Sequence, residues 1–187
     1  MSSMTIEPME IDTSYMVHPA TPGSSSTPHI GLDHNNLVVG KWKSGILGCM
    51  NGDLVPNCAM PTICPCVAVA QIVHRVGMYK YWTALAVFTV LLMVYAACTT
   101  CDALNWSRYF VVPMWGTTFL ALLLVAYVRR NFRKQFQIPG STFEDIACSC
   151  FFSCCVIGQM ATHCEAYTPA QCTFGPKDTL PGYNRHA

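Results

Sequence analysis

Two long apolar segments without a charged residue are the features that most constrain this chain. They run from Trp82 to Cys101 and from Tyr109 to Val128, and each contains twenty residues. An α-helix of that length extends about 30 Å, which matches the hydrocarbon core of a bilayer. The alternative is a pair of buried helices in a soluble bundle, but such helices normally keep a polar face. The segments therefore predict two transmembrane helices.

The composition of the whole chain agrees with a membrane protein. Charged residues make up 11% of the chain and apolar residues 52%, whereas a soluble domain has about 25% charged residues. The net charge is +1 and we find no basic block, so nucleic acid is not an expected partner. The N-terminus lacks the basic and apolar regions of a secretory signal peptide. Most of the twelve cysteines are therefore expected to be reduced.

The short connection between the two segments, residues 102–108, predicts the topology. Seven residues allow only an antiparallel hairpin, whose outer ends lie on the same side of the membrane. Six basic residues flank those ends, whereas the loop contains only Arg108. The positive-inside rule then places both ends of the hairpin, and both termini, in the cytosol. The six basic residues are Arg75, Lys80, Arg129, Arg130, Arg133 and Lys134.

The remaining chain divides into three regions. Residues 1–40 contain PATPGSSSTP and almost no apolar periodicity, which predicts a disordered tail. Residues 41–165 are predicted to form a cysteine-rich membrane domain, and residues 166–187 an irregular tail. Within the domain, the third apolar run at 146–162 is at the lower length limit of a span. We expect one helix that lies at the interface or packs on the hairpin, with a third crossing as the alternative.

Two short segments that flank the hairpin resemble each other. Each has a cysteine, a glutamine five positions later, and a histidine three or four positions after the glutamine. That spacing places the glutamine and the histidine on one face of a helix. The pattern predicts two related cysteine-bearing helices on the same side of the membrane. Its members are Cys66, Gln71 and His74 in the first segment and Cys154, Gln159 and His163 in the second.

The first segment also contains Cys64-Pro65-Cys66, preceded by Cys58. Together with the basic stretch and the second segment, these residues resemble the placenta-specific-eight (PLAC8) family of cysteine-rich membrane proteins. That family includes plant cadmium-resistance proteins, cell number regulators and cornifelin. The resemblance covers about residues 41–165 and departs from the family at Ala59, where a second cysteine is common. It implies a self-associating plasma-membrane protein that acts in cadmium, zinc or calcium movement or in growth control.

Metal binding is one chemistry that these residues could support. Thiolates and imidazoles favour zinc and other soft or borderline metals, so zinc or a similar divalent ion is the cofactor to test. The cysteine spacing is not that of a zinc ribbon. The resemblance instead favours a labile, transport-linked set of thiols. The candidate ligands are Cys58, Cys64, Cys66, Cys150, Cys154, Cys155 and His163.

Two other interpretations of the polar and thiol groups stay open. Cysteines beside a membrane helix are common palmitoylation sites, here Cys64, Cys66, Cys154 and Cys155, and free cysteines can also simply pack in a core. Polar groups in apolar runs can mark an ion pathway, pair with one another, or face cytosolic water. The pathway candidates are Gln71, His74, Glu144, Asp145 and Gln159.

The sequence thus predicts an all-α membrane protein, a two-helix transmembrane hairpin flanked by cysteine-rich amphipathic helices. The favoured function is transport or homeostasis of a divalent metal or other cation by a homo-oligomer, because two helices cannot enclose a pore. The alternative is a palmitoylated, membrane-anchored interaction or growth-regulating protein without transport. No enzyme is expected, since we find no phosphate loop, nucleophile elbow or two-histidine zinc helix. Membrane lipid and a second copy of the chain are the expected partners.

Overall fold

The structure is a computed structural model of the 187-residue chain, and it describes residues 30–48, 57–105, 108–168 and 171–183. The described residues form a mostly helical protein with one small antiparallel hairpin of strands near its N-terminal end. The strands are β1 (Gly31–Leu32) and β2 (Val38–Val39). The helices are α1 (Ala59–Ile63), α2 (Pro65–Arg75), α3 (Tyr81–Ala103), α4 (Val111–Gln135), α5 (Thr142–Phe151) and α6 (Ser153–His163).

The long helices α3 and α4 confirm the two predicted spans. They pack side by side as a hairpin and are long and apolar enough to cross a membrane. Only 11% and 17% of their most apolar stretches are buried inside the protein. Such exposed apolar surface is expected where lipid surrounds the helices. Asn105 turns the chain after α3 with φ +53°, and a 3-10 turn at Arg108–Phe110 leads into α4.

Four shorter helices gather at the end of the hairpin that carries Lys80 and Arg129, which we call the basic end. There α2 contacts α3 and α6, while α5 and α6 both contact α4. We refer to α1, α2, α5 and α6 together as the cap. The two related cysteine-bearing segments, α2 and α6, therefore meet. Together with α4, these two helices supply much of the hydrophobic core, including Val69, Ile72, Val73, Phe132, Val156 and Met160.

Local signals explain where α2 begins and ends. Pro65 occupies the first position of α2, where a missing N–H costs nothing. Gly77, with φ +68°, follows the end of α2 and donates its N–H to His74 O, while Met78 N–H donates to Val73 O. This pair of hydrogen bonds is a Schellman motif, which favours glycine at the left-handed position.

The third apolar run does not form the single helix that we expected. It covers the second half of α5 and nearly all of α6, and these two helices are bent by 115° at Phe152. Phe152 has φ −132° and ψ 39°, outside the helical range, and this residue ends one helix and begins the next. Both halves contact α4, and α6 also contacts α1 and α2. The run therefore packs back on the hairpin as two helices.

The N-terminal hairpin and the C-terminal residues are joined to the cap. Residues 30–40, which the sequence assigned to the disordered tail, form the β1–β2 hairpin around a turn at Asp33. Residues 171–183, which we call the strap, have no helix or strand but lie against α2, with Leu180 N–H donating to Arg75 O at 2.9 Å. Tyr183 Oη donates to Asp33 Oδ2 at 2.7 Å and so links strap and hairpin. The first 29 residues of the predicted tail lie outside the described residues.

Candidate functional site

A buried ionic network lies where α4 meets α5. Arg129 and Arg133 are one helical turn apart on α4, and both donate to the carboxylate of Asp145 on α5. Arg129 Nε lies 3.2 Å from Asp145 Oδ1, and Arg133 Nη2 lies 2.5 Å from Asp145 Oδ2. All three side chains are buried, Arg129 and Asp145 to 1% exposure. Two guanidinium groups thus share one carboxylate in the interior, an arrangement that is stable only with good hydrogen-bond geometry.

The network continues through Gln159 to the N-terminal segment. Gln159 Oε1 accepts from Arg129 Nη1 at 2.7 Å, and Gln159 Nε2 donates to Ser44 O at 2.8 Å. The Arg129 guanidinium also lies over the ring of Trp42, 4.7 Å from its centroid, in a cation–π contact. Two of the predicted pathway residues, Asp145 and Gln159, therefore connect α4, α5, α6 and residues 42–44 into one unit.

The other three pathway candidates lie apart from this network. Gln71 Nε2 donates to the backbone oxygens of Thr173 and Gly175 and so holds the strap on α2. His74 is half-buried and packs edge-on against Tyr81. Glu144 is exposed in the first turn of α5, where its N–H donates to the hydroxyl of Ser141, the N-cap of that helix. The five candidates do not form one continuous polar line in the described residues.

His163, the predicted imidazole ligand, is fully buried in an aromatic cluster. Its ring centroid lies 4.7 Å from that of Phe136 and 5.5 Å from those of Phe132 and Trp42. Nδ1 accepts the backbone N–H of Lys43 at 3.1 Å. Burial lowers the pKa of His163 to about 4, so the imidazole is neutral near pH 7 and stabilises the cap as an acceptor.

The predicted thiol ligands do not assemble into a metal site within the described part of the chain. Cys150 and Cys154 are exposed, while the other four thiols of the set are half-buried. No group of three or more cysteine, histidine, aspartate or glutamate side chains is placed to hold a metal ion in the ranges that the structure describes. Metal binding by these thiols stays a prediction, and ligands from another chain would have to complete the site.

Two of the thiols nevertheless open on one cavity. Cys66 from α2 and Cys154 from α6 line a cleft of about 290 Å³ between the cap and the long helices. We call this cleft the groove. Its long walls come from α3 between Phe88 and Tyr95 and from α4 between Thr117 and Val125. The groove therefore runs from the cap into the membrane-spanning part of the hairpin.

The groove is apolar although three threonines line it. The hydroxyl of Thr62 donates to Cys58 O, that of Thr117 to Pro113 O, and that of Thr118 to Met114 O. Each hydroxyl is thereby satisfied by the backbone of its own helix, so the threonines can present methyl groups to the groove. The two thiols are thus at the edge of a hydrocarbon-lined surface.

Sequence reasoning did not predict that Arg129 and Arg133 are buried in an ionic network, or that Trp42 contacts it. Arg129 and Arg133 entered the topology argument as cytosolic charges, although a burial signal was present. They share the face of α4 that carries Val125, Phe132 and Phe136 at helical spacing, and this face is buried. A charge on an otherwise apolar helical face requires a buried partner. Nothing in the sequence singled out Trp42.

A short transmembrane hairpin with a cysteine-bearing helical cap defines a small, cysteine-rich α-helical membrane protein. A family model described as the PLAC8 family matches residues 42–163, more than half of the chain. The chain therefore belongs to the PLAC8 family, as its Cys-Pro-Cys and paired cysteine–glutamine segments predicted. No curated protein and no solved structure matches the chain significantly.

Proposed function

We propose that the protein is a membrane-anchored interaction protein whose rigid cap displays acylatable thiols at the cytosolic surface of the plasma membrane. The observation that carries this proposal is the use of Asp145 and Gln159 in the buried network with Arg129 and Arg133. A cation pathway needs polar groups that can release one partner and take up an ion. These two side chains are instead bound to guanidinium groups, which repel cations.

The groove supports the same proposal. A cation that crosses the bilayer needs oxygen, nitrogen or sulfur atoms along its path. The groove walls are mainly side-chain carbon, because the threonine hydroxyls are bonded to the backbone. Its two thiols lie at the cap end, beside the membrane helices, which is the usual setting of acylated cysteines.

Ion flux measurements test this proposal. We expect zinc, cadmium and calcium uptake to be the same in cells with and without the wild-type chain. A Cys64→Ser/Cys66→Ser variant at equal abundance in the membrane is the matched comparison. A flux that appears with the wild-type chain and disappears with the double variant would contradict the proposal.

The second candidate function is homeostasis of zinc or a similar soft divalent metal by a homo-oligomer. The meeting of Cys66 and Cys154 in one groove favours it, because each half of the related pair contributes one thiol. Zinc prefers four ligands, so a second copy would have to supply the others. Measuring bound metal and particle mass on the same detergent-solubilised sample tests this candidate. Metal in an oligomer that is lost in Cys154→Ser supports it, and a metal-free monomer contradicts it.

A further inference from the structure

We infer that Cys154 is S-acylated and that the attached acyl chain lies in the groove, along α3 and α4. This inference rests on the proposed function, and it names the modified residue and the place that the acyl group occupies. It combines an exposed thiol, a hydrocarbon-lined cleft that begins at this thiol, and a position at the end of the transmembrane hairpin.

The position of Cys154 suits acyl transfer. Cys154 is the second residue of α6, directly after the bend at Phe152, and its side chain is exposed. An acyl-transfer enzyme can therefore reach the thiol without unfolding the cap. Cys66, across the same groove, is half-buried in the first turn of α2 and is the less accessible of the two.

The shape of the groove suits a single hydrocarbon chain. The lining segments extend about 10 Å along α3, from Phe88 to Tyr95, and about 12 Å along α4, from Thr117 to Val125, at 1.5 Å rise per residue. Between them, Ala121 leaves space that a larger side chain would fill. The result is an elongated cleft that leads from the cap towards the middle of the bilayer.

Covalent attachment explains why the acyl chain on Cys154, rather than a free lipid, would occupy the groove. A hydrocarbon chain gains little hydrophobic free energy when it leaves the bilayer for an apolar cleft, because both surroundings are apolar. The tether to Cys154 instead raises the effective concentration of the chain at the groove mouth. Packing against Phe88 and Leu122 then favours one bound position over many in the bilayer.

The modification is a transthioesterification with an acyl-coenzyme A thioester as co-substrate. The Cys154 sulfur attacks the acyl carbonyl carbon and forms a new carbon–sulfur bond. The carbon–sulfur bond to coenzyme A breaks, and coenzyme A leaves as a thiol with the proton that Cys154 gives up. No electrons are transferred to or from an outside oxidant or reductant.

A metal ion is the other occupant to consider at this position, and the groove suits it less well. Two thiols line the groove, and the hydroxyls of Thr62, Thr117 and Thr118 are engaged by the backbone. The other hydroxyl groups of the lining belong to Tyr95 and Ser153, and a neutral hydroxyl is a harder donor than the thiolates and imidazoles that zinc favours. Two thiolates leave the coordination of zinc incomplete.

The test uses the full-length chain expressed in cultured cells. Free thiols are blocked, thioesters are cleaved with hydroxylamine, and the released thiols are coupled to a mass tag. We expect a tagged band for the wild-type chain, its loss in Cys154→Ser, and its retention in Cys150→Ser, which removes another exposed thiol that does not line the groove. Mass spectrometry of the wild-type peptide that contains Cys154 gives the same answer even if Cys154→Ser fails to fold.

A second measurement locates the acyl chain. In the wild-type protein, labelling of Cys66 by a small membrane-permeable maleimide should rise after hydroxylamine treatment, because the released chain no longer covers it. In Cys154→Ser the labelling of Cys66 should be the same before and after treatment. Equal labelling in the wild-type protein would overturn the placement of the chain in the groove.

The remaining outcomes also decide the inference. Absence of a thioester on Cys154, or zinc bound by an unmodified Cys154 thiol, overturns it. Ion flux through the wild-type protein would contradict the proposed function. It would not change the conclusion on acylation, because the thioester on Cys154 is measured directly. The two failures are therefore distinguishable.

Discussion

At the scale of single residues, Asp145 joins α5 to α4 through two buried ion pairs. Its carboxylate accepts from Arg129 and Arg133 on one helix, and Arg129 is also bound to Gln159. Removing one member of such a buried set leaves the others charged and without their partner, which is the costly change in a buried ion pair. The nearby Glu144 has the same charge but is exposed.

We therefore expect Asp145→Asn to destabilise the cap by about 3–5 kcal/mol. The two guanidinium groups would remain buried with one neutral amide between them. Thermal unfolding in detergent, followed by tryptophan fluorescence, measures the effect as a lower midpoint. Glu144→Gln is the control and should leave the midpoint nearly unchanged; equal effects of the two substitutions would show that the buried network does not stabilise the cap.

His163 predicts a pH dependence of stability. Its pKa is lowered to about 4 by burial, whereas an unfolded histidine titrates near 6.5. Below pH 6.5 the unfolded chain binds a proton that the folded chain does not, so the stability of the cap falls between about pH 6.5 and pH 4. Above pH 6.5 this group contributes no pH dependence.

The unfolding midpoint should therefore decrease between pH 7 and pH 4, where the loss in the free energy of unfolding reaches about 3 kcal/mol. In His163→Leu this decrease should be smaller, although the variant is less stable at every pH because Lys43 N–H loses its acceptor. An identical pH profile in the two proteins would mean that His163 does not titrate in this range.

At the scale of elements, the sequence predicts best where its signal is local. The bilayer requires about twenty apolar residues per helix, so the positions of α3 and α4 followed directly from two charge-free runs. The start of α2 at Pro65 and its end before Gly77 also depend only on nearby residues. The bend at Phe152 was not predictable, because residues 146–162 are apolar on both sides of it and no glycine or proline marks the break.

Contacts between distant elements could not be predicted from the sequence, because they depend on how the helices pack. The sequence does not show whether Arg129 and Asp145 are exposed or buried, so it does not reveal that they form an ion pair. The β1–β2 hairpin has strands of two residues each, which are too short to show an alternating pattern. The groove brings together two cysteines, Cys66 and Cys154, that are far apart in the chain, and only the packing of the cap places them in one cleft.

Gly77 offers a test of how the strap is fixed. It has φ +68°, and a Cβ at this position would collide with the backbone oxygen of Tyr183. We expect Gly77→Ala to cost at least 1–2 kcal/mol, roughly, from the left-handed conformation alone, and to release the strap. Faster proteolysis near residue 180 would report the release. Gly116→Ala is the matched control, since nothing lies within 4 Å of its Cβ, and equal protease sensitivity of both variants would contradict this role.

At the scale of the whole molecule, we propose that nearly all the described structure outside α3 and α4 lies on one side of the membrane. The β1–β2 hairpin, the cap and the strap contact one another at the basic end of α3 and α4. At the opposite end, α3 finishes at Ala103 and α4 begins at Val111. This asymmetry requires that α5 and α6 stay on the side of the basic end, although as a bent pair they are apolar enough to cross.

Epitope accessibility in intact cells tests this topology most directly. One chain carries an epitope after residue 187 and a second carries it in the loop after Asn105. A two-span hairpin with a cytosolic cap predicts that antibodies reach the loop epitope from outside, and reach the C-terminal epitope only after the membrane is permeabilised. Staining of the C-terminal epitope in unpermeabilised cells would show that the third apolar run crosses the membrane and would contradict this arrangement.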